Sequence, residues 1–342
     1  MRIAMISTPF VPVPPRQYGG TELVVSELVE GLLDRGHDVT LYATGDSRTR
    51  ARLRALYPLA QWPPDVYADL NHVSFAMREI VRSRYDLIHA HSPVALGFAR
   101  LTSIPMAYTL HHAQEPGLSA YYRLFPEVQY VAISADQARR EPGVQDCTVI
   151  HHGLDPRIYR WTDRPGDYVC FLGRFAREKG LAAAIDVAAA ARTSIYVAGA
   201  AHPGDLEYAR AEIEPRLGAR HVRHLGPVGQ SEKVPLLRDA RALLAPIEWN
   251  EPFGLVLIEA MLSGCPVVAF GRGSVPELVE DGVTGFIAES REEMADLIRP
   301  GGAVDRLDRR RIRQVAVSRF GRERMVIEYE RLYGQIVRVR AA

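Results

Sequence analysis

Ala242 to Ile247 is an unbroken apolar run that opens directly into Glu248-Trp249-Asn250-Glu251-Pro252-Phe253-Gly254, after which apolar residues recur at helical intervals. A short run of this kind reads as a buried strand, so the stretch is strand, loop, helix. The helix is expected from about Phe253, with Pro252 and Gly254 in its first turn. There a missing N–H costs little, and a small residue admits a ligand to the backbone. The amides of Gly254, Leu255 and Val256 would then face outward with roughly half a positive charge, a setting for phosphate. Glu251 and Glu259 stand too close to such a site to be there for the anion. Ionised carboxylates accept from O–H donors, so the pair fits a ligand carrying both phosphate and neutral hydroxyls. A plainer reading has Glu251 capping the helix and Glu259 on a solvated face, and the stretch alone does not separate the two.

The rest of the chain repeats this alternation. Ile3 to Ser7 is a strand, followed by the proline-rich loop Pro9 to Pro15 and the turn Tyr18-Gly19-Gly20-Thr21. Leu23, Val24, Leu28, Leu32 and Leu33 mark a helix over Glu22 to Arg35, closed by Gly36, and Val39 to Ala43 is the next strand. The chain therefore opens as a parallel β-α-β unit. Gly19 and Gly20 let backbone approach a ligand at its first turn, but their spacing is not G-x-G-x-x-G, which disfavours a dinucleotide. Strands at Asp86 to His91 and Met106 to Leu110 end in His89, His91, His111 and His112. That is the edge where an open parallel sheet places its ligand. His111 is the functional candidate, and His89 and His91 read as satisfied sheet-end histidines. No carboxylate or cysteine completes a zinc pattern around them, so no metal is expected.

Val128 to Ser134 and Thr148 to His151 add strands, and Gly153 to Pro165, charged and proline-bearing, reads as a linker. Beyond it come a strand at Tyr168 to Leu172, the polar loop Gly173 to Gly180 and a helix over Leu181 to Arg192. Strands at Ser194 to Gly199 and His221 to Gly226 and a helix over Ser231 to Arg241 lead back to the opening stretch. Pro266 to Phe270 is a further strand, and Arg322 to Val339 a final helix with Met325, Val326, Tyr329, Leu332, Tyr333 and Ile336 on its apolar face. The fold class is α/β, two similar halves with a cleft between them. The boundaries are 1–155, a linker 156–165, a second domain 166–320, and a last segment 321–342.

Composition matters at one point. The chain has forty arginines and two lysines, Lys179 and Lys233, a bias of a GC-rich genome that makes each retained lysine notable. Lys179 shares its loop with Arg174, and the pair suits a bound anion. The formal charge of +1 gives no nucleic-acid footprint. Cys147, Cys170 and Cys265 lack ligand spacing and read as reduced core residues of a cytoplasmic protein. No run is long enough to span a membrane, though peripheral membrane contact remains compatible with the sequence.

Four segments together resemble the retaining nucleotide-sugar glycosyltransferases of family 4, with the two-Rossmann GT-B fold. They are Tyr18-Gly19-Gly20-Thr21-Glu22 with Arg35-Gly36-His37-Asp38-Val39; Asp86-Leu87-Ile88-His89-Ala90-His91; Gly173-Arg174-Phe175 through Glu178-Lys179-Gly180; and Glu251-Pro252-Phe253-Gly254-Leu255 through Glu259-Ala260, continued by Ser263-Gly264-Cys265-Pro266-Val267-Val268-Ala269. The resemblance runs from the first strand to Tyr333. Its most specific part is the carboxylate pair combined with the Arg-Lys loop. At the domain junction the family's Asn-Gly-Val-Asp reads His152-Gly153-Leu154-Asp155 here.

The resemblance implies transfer of a sugar from a nucleotide-sugar donor to a hydroxyl-bearing acceptor, with retention and without cofactor or metal. Gly19 and Gly20 would approach the diphosphate, Arg174 and Lys179 would neutralise it, and the amides of Leu255 and Val256 would complete the cradle at Phe253-Gly254. Glu251 would hold hydroxyls of the sugar, Glu259 the ribose, and His111 a hydroxyl near the reacting carbon. The final helix would cross back to the first domain. Rival readings are a nucleotide-sugar epimerase, a two-lobed sugar-binding protein, which predicts a secretory leader and no phosphate clamp, and an inactive regulatory relative. The GC-rich bias fits antibiotic tailoring, cell-envelope assembly and storage carbohydrate alike.

Overall fold

The computed structural model describes residues 1–144 and 147–341. Ala342, with which the last segment was expected to end, lies outside the described residues. Contacts gather the chain into two units, Met1–Leu154 with Arg322–Ala342, and Asp155–Gly321.

The first unit is a sheet of β1 (Arg2–Ile6), β2 (Asp38–Tyr42), β3 (Arg52–Arg54), β4 (Leu87–Ala90), β5 (Met106–Thr109), β6 (Gln129–Ala132) and β7 (Thr148–Val149). All pairings are parallel, in the order β3-β2-β1-β4-β5-β6-β7. Ile3 to Ile6 and Leu87 to Ala90 are buried throughout, as strands covered on both faces must be. Helix α1 (Gly20–Asp34) follows β1, and α2 (Val66–Ile80) precedes β4. Helix α2 was not expected from the sequence. Asp65 caps it by accepting from the Ala68 amide at 2.9 Å, and Val73, Ala76, Met77 and Ile80 are buried. Edge strand β3 also escaped the sequence reading, because its three residues, Arg-Leu-Arg, carry no apolar run.

The second unit holds β8 (Tyr168–Leu172), β9 (Ser194–Ala198), β10 (Val222–Gly226), β11 (Leu243–Ala245), β12 (Val267–Phe270) and β13 (Gly285–Ala288). They too pair in parallel, in the order β10-β9-β8-β11-β12-β13. Its helices include α3 (Leu181–Ala190), α4 (Gln230–Asp239), α5 (Leu255–Leu262) and α6 (Arg309–Phe320). Residues of the 156–165 stretch pack within this unit: Tyr159 is buried, and Arg309 donates to the Thr162 carbonyl at 2.8 Å.

The final helix, α7 (Arg322–Ala341), belongs to the first unit. Met325, Val326, Tyr329, Leu332 and Tyr333 are buried, as its periodicity predicted. The Tyr333 hydroxyl meets His89 Nδ1 at 2.6 Å, and Arg324 donates to the carbonyls of His151 and His152 at 2.8 Å each.

Candidate functional site

In both sheets strand order reverses beside the first strand of the unit, between β1 and β4 and between β8 and β11. The crevice outside the C-terminal ends of two such strands is where an open parallel sheet binds ligands. In the second unit the loops leaving β8 and β11 are the ones carrying Arg174, Lys179 and Glu251. They are drawn together by the Glu248 amide, which donates to the Glu178 carbonyl at 3.0 Å. Gly180, at φ +74°, has no room for a Cβ beside the Pro246 carbonyl, so the close approach of the loops requires glycine there.

Lys179 pairs through Nζ with Glu251 Oε2, and the Trp249 indole N–H donates to the same oxygen at 2.9 Å. The ammonium lies 5.0 Å from the centre of the Trp249 ring, a cation–π distance. Glu251 Oε1 has no partner among the described residues and is not sealed from the surface. The loop after β12 braces this arrangement: the Ser274 amide donates to the Glu251 carbonyl at 3.0 Å and its hydroxyl to the Phe253 carbonyl at 2.6 Å. Gly273, at φ +57°, lies so close that a Cβ would run into the Glu251 backbone. Arg174 pairs with Glu178, and with Asp205 at 3.4 Å.

Helix α5 begins two residues later than expected. Gly254 is its N-cap, at φ +85°, and Pro252 and Phe253 are buried before it rather than in its first turn. An L side chain is strained at that φ, so backbone geometry by itself selects glycine here. The Leu257 amide turns back to the Gly254 carbonyl at 3.0 Å. The amides of Leu255 and Val256 belong to the first turn and have no preceding helical carbonyl. Gly254, Leu255 and Val256 are half-buried, whereas Leu257 to Leu262 are buried, so the open end of the helix is its N-terminus.

Glu259 is not on a solvated face. It is 4 % exposed, paired with Lys233 of α4, and accepts from the Tyr159 hydroxyl at 3.0 Å. Neither partner was picked out from the sequence as a site residue. The rarity of lysine marks Lys233 as notable in the sequence but does not say which carboxylate it meets.

In the first unit, Gly19 is the N-cap of α1, and a Cβ there would press on Pro15 and Val11. Packing of the proline-rich loop therefore asks for glycine at this position. Gly20 is the first residue of α1. His111 follows β5, and its Nε2 lies 2.8 Å from His91 Nδ1, while His91 Nε2 lies 3.1 Å from Met5 Sδ. Burial pushes both imidazoles well below the ordinary histidine range, so both are neutral near pH 7. A thioether accepts but cannot donate, which places the His91 proton on Nε2. His91 Nδ1 is then a lone pair accepting from His111 Nε2–H, and His111 Nδ1 is left as an acceptor. That nitrogen has no partner among the described residues. His89 is sequestered between Tyr333 and Thr109, with His89 Nε2 2.8 Å from the Thr109 hydroxyl. His112 is exposed.

A cavity of about 690 Å³ is lined by Trp161, Gly166, Arg241, Asp305 and Arg309, by the N-terminal ends of β8 and β11. It lies at the end of these strands opposite the one where an open parallel sheet binds ligands, and Arg241 is already engaged by Asp305 at 2.7 Å. Among the described residues no group of three or more His, Cys, Asp or Glu side chains is placed to hold a metal ion. No helix among them is long and apolar enough to cross a membrane.

Two open parallel α/β sheets, each with a ligand edge, define a two-Rossmann protein of the GT-B class. Residues 18–158 match Glycosyltransferase Family 4 and residues 162–300 match Glycosyl transferases group 1. The chain belongs to the glycosyltransferases, with a Family 4 domain followed by a group 1 domain. It is 27% identical over 320 residues to a phosphatidyl-myo-inositol mannosyltransferase of Mycolicibacterium smegmatis, covering 83% of this chain and 80% of that protein. The crystal structure of AviGT4, a glycosyltransferase involved in avilamycin A biosynthesis, is 26% identical with a TM-score of 0.75 over 98% of both chains. HepE of Anabaena, solved in complex with UDP-glucose, shares the fold at 20% identity, with a TM-score of 0.73 over 98% of this chain and 100% of that one.

Proposed function

We propose that the chain is a retaining, metal-independent hexosyltransferase that moves a sugar from a nucleotide-diphosphate-sugar to a hydroxyl acceptor, working in the cytoplasm. The observation that carries this reading is the open N-terminus of α5 at Gly254–Val256, beside the Lys179–Glu251 pair. Without ligand, each member of that pair is the other's counter-ion. An arriving diphosphate takes Lys179, and Glu251 is released to accept from sugar hydroxyls. A diphosphate leaving group carries about two negative charges. Arg174, Lys179 and a helix terminus worth about half a charge match it without a divalent ion. Its departure leaves an oxocarbenium-like sugar. The acceptor hydroxyl attacks from the same face, and its proton passes to the departing phosphate oxygen. Glu259 serves the ribose. In the first unit, His111 Nδ1 is an acceptor for a sugar hydroxyl, and Gly19 and Gly20 offer backbone that a phosphate can approach.

The test is a thermal-shift screen of nucleotide-sugars, since a ligand that binds only the folded state raises the melting temperature. Product analysis with and without acceptor then follows. The expected result is nucleoside diphosphate and a glycosylated acceptor. A new nucleotide-sugar formed without acceptor would instead indicate an epimerase, and stabilisation by free sugar but no nucleotide-sugar would indicate a binding protein. Antibiotic tailoring is one pathway compatible with this activity, and an acceptor screen decides it.

A further inference from the structure

The chain's two lysines are each paired with one of the two site glutamates, Lys179 with Glu251 and Lys233 with Glu259. The second pair is the more enclosed, with side chains 12% and 5% exposed. Both donors to Glu259, the Lys233 ammonium and the Tyr159 hydroxyl, take the same oxygen, Oε1. The Tyr159 backbone is itself held: Arg313 binds the carbonyls of Tyr159 and Leu262, and that of Pro156 at 2.7 Å. Oε2 has no partner among the described residues and is not sealed from the surface. Glu259 lies four residues along α5 from Leu255, about 6 Å along the helix axis from the free amides. On the donor reading above, Glu259 is within a nucleotide's reach of those amides. A carboxylate with one oxygen saturated and the other free presents fixed lone pairs to neighbouring hydroxyls.

We propose that Lys233 is a positioning residue for the nucleoside half of the donor: with Tyr159 it locks one oxygen of Glu259 so that the other reads the adjacent ribose hydroxyls. The site thereby discriminates ribonucleotides from 2′-deoxyribonucleotides. This rests on the nucleotide-sugar reading above. A solely structural pair would tie α4 to α5 and leave that discrimination untouched.

The test measures dissociation constants of UDP, GDP and ADP, of their 2′-deoxy counterparts and of dTDP by calorimetry on the full chain, for wild type, Lys233→Met and Tyr159→Phe, with melting temperatures recorded alongside. For the diphosphate that wild type binds best, Lys233→Met is expected to weaken the ribonucleotide about tenfold and its deoxy form less than twofold. The ribo-to-deoxy ratio then falls towards one. Tyr159→Phe, which removes a single neutral donor, is expected to lower the ratio about threefold, and it decides the matter should Lys233→Met not fold. Equal weakening of both forms, or an unchanged ratio in the folded variants, overturns the role of Lys233 while leaving the donor reading intact. Wild type that binds dTDP alone overturns the ribose reading and keeps the donor reading, and wild type that binds no nucleoside diphosphate overturns both.

Discussion

Replacing Lys179 separates a phosphate clamp from an ornamental ion pair. Lys179 and Glu251 have side chains 20% and 10% exposed, so the pair is partly shielded from water. Unit charges about 4 Å apart at an effective dielectric of about 20 interact by about 4 kcal/mol. That figure is not the contribution to catalysis, because in the proposed mechanism Lys179 exchanges one negative partner for another when phosphate arrives. What favours the transition state is the further charge that develops on the leaving phosphate. A donor aimed at such charge contributes on the order of 1.4 to 3 kcal/mol, about tenfold to 150-fold in rate. Lys179→Ala is therefore expected to lower kcat/KM by at least about tenfold, with kcat carrying more of the loss than KM. It also leaves Glu251 with only the Trp249 N–H, so unfolding free energy should fall by about 1–3 kcal/mol. Adding Glu251→Gln to Lys179→Ala should restore much of that stability and none of the transfer. The assay is the initial rate of nucleoside diphosphate release with the donor and acceptor found by screening, paired with thermal unfolding of each variant. Lys179→Ala and Glu251→Ala that both keep wild-type kcat/KM would refute the clamp.

Gly254→Ala places a side chain at φ +85°, at a cost of about 1–2 kcal/mol, and should lower both melting temperature and donor affinity. Gly273→Ala should be worse, because its Cβ collides with the Glu251 backbone; equal melting temperatures for the two variants would contradict this. Burial lowers His72 to about 4 and His89 and His152 to about 3, and lowers His91 and His111 as well. The unfolded chain thus binds more protons below pH 6.5, and stability should fall there by about 2 kcal/mol for each of His72, His89 and His152 between pH 6.5 and 5. Asp69, raised by burial to about 6, works in the opposite sense and offsets about one of them. Melting temperature against pH should be flat from 7 to 8 and drop steeply below 6.5, with a shallower slope for His72→Leu. Transfer should survive excess EDTA and yield a product with the donor's anomeric configuration by NMR; loss of activity restored by a divalent ion, or an inverted anomer, would each remove one part of the proposal.

Much of the fold could be read from the chain because its central strands are buried on both faces and so appear as apolar runs, Ile3 to Ile6 and Val267 to Phe270 among them. Strands at the edges lack that signal. Gly285–Ala288 opens with glycine and keeps Phe286 and Ile287 half-buried, and Arg52–Arg54 is mostly charged. Helix α2 was hidden behind Pro58, Pro63 and Pro64, although its cap at Asp65 and its apolar face are ordinary. In the site, the neighbourhood of Lys179, Glu251 and the α5 terminus follows from loop order, which sequence displays. The Lys233–Glu259 pairing joins α4 to α5 across 26 positions, and the Met5–His91–His111 chain joins three strand ends. Local pattern carries no information about such pairs. The placement of the helix start was wrong by two residues because a glycine at positive φ and a glycine in a first turn look alike in sequence.

The central claim is that an activated sugar's diphosphate is held by the α5 terminus and fixed cations without a divalent ion. The direct measurement is a crystal structure grown in EDTA with the nucleotide-sugar that stabilises the protein most. The account predicts phosphate oxygens on the Leu255 and Val256 amides and a Lys179 ammonium that has left Glu251 for the phosphate. A Lys179–Glu251 pair still closed beside bound donor, or phosphate seated elsewhere or only through an added metal, would contradict it.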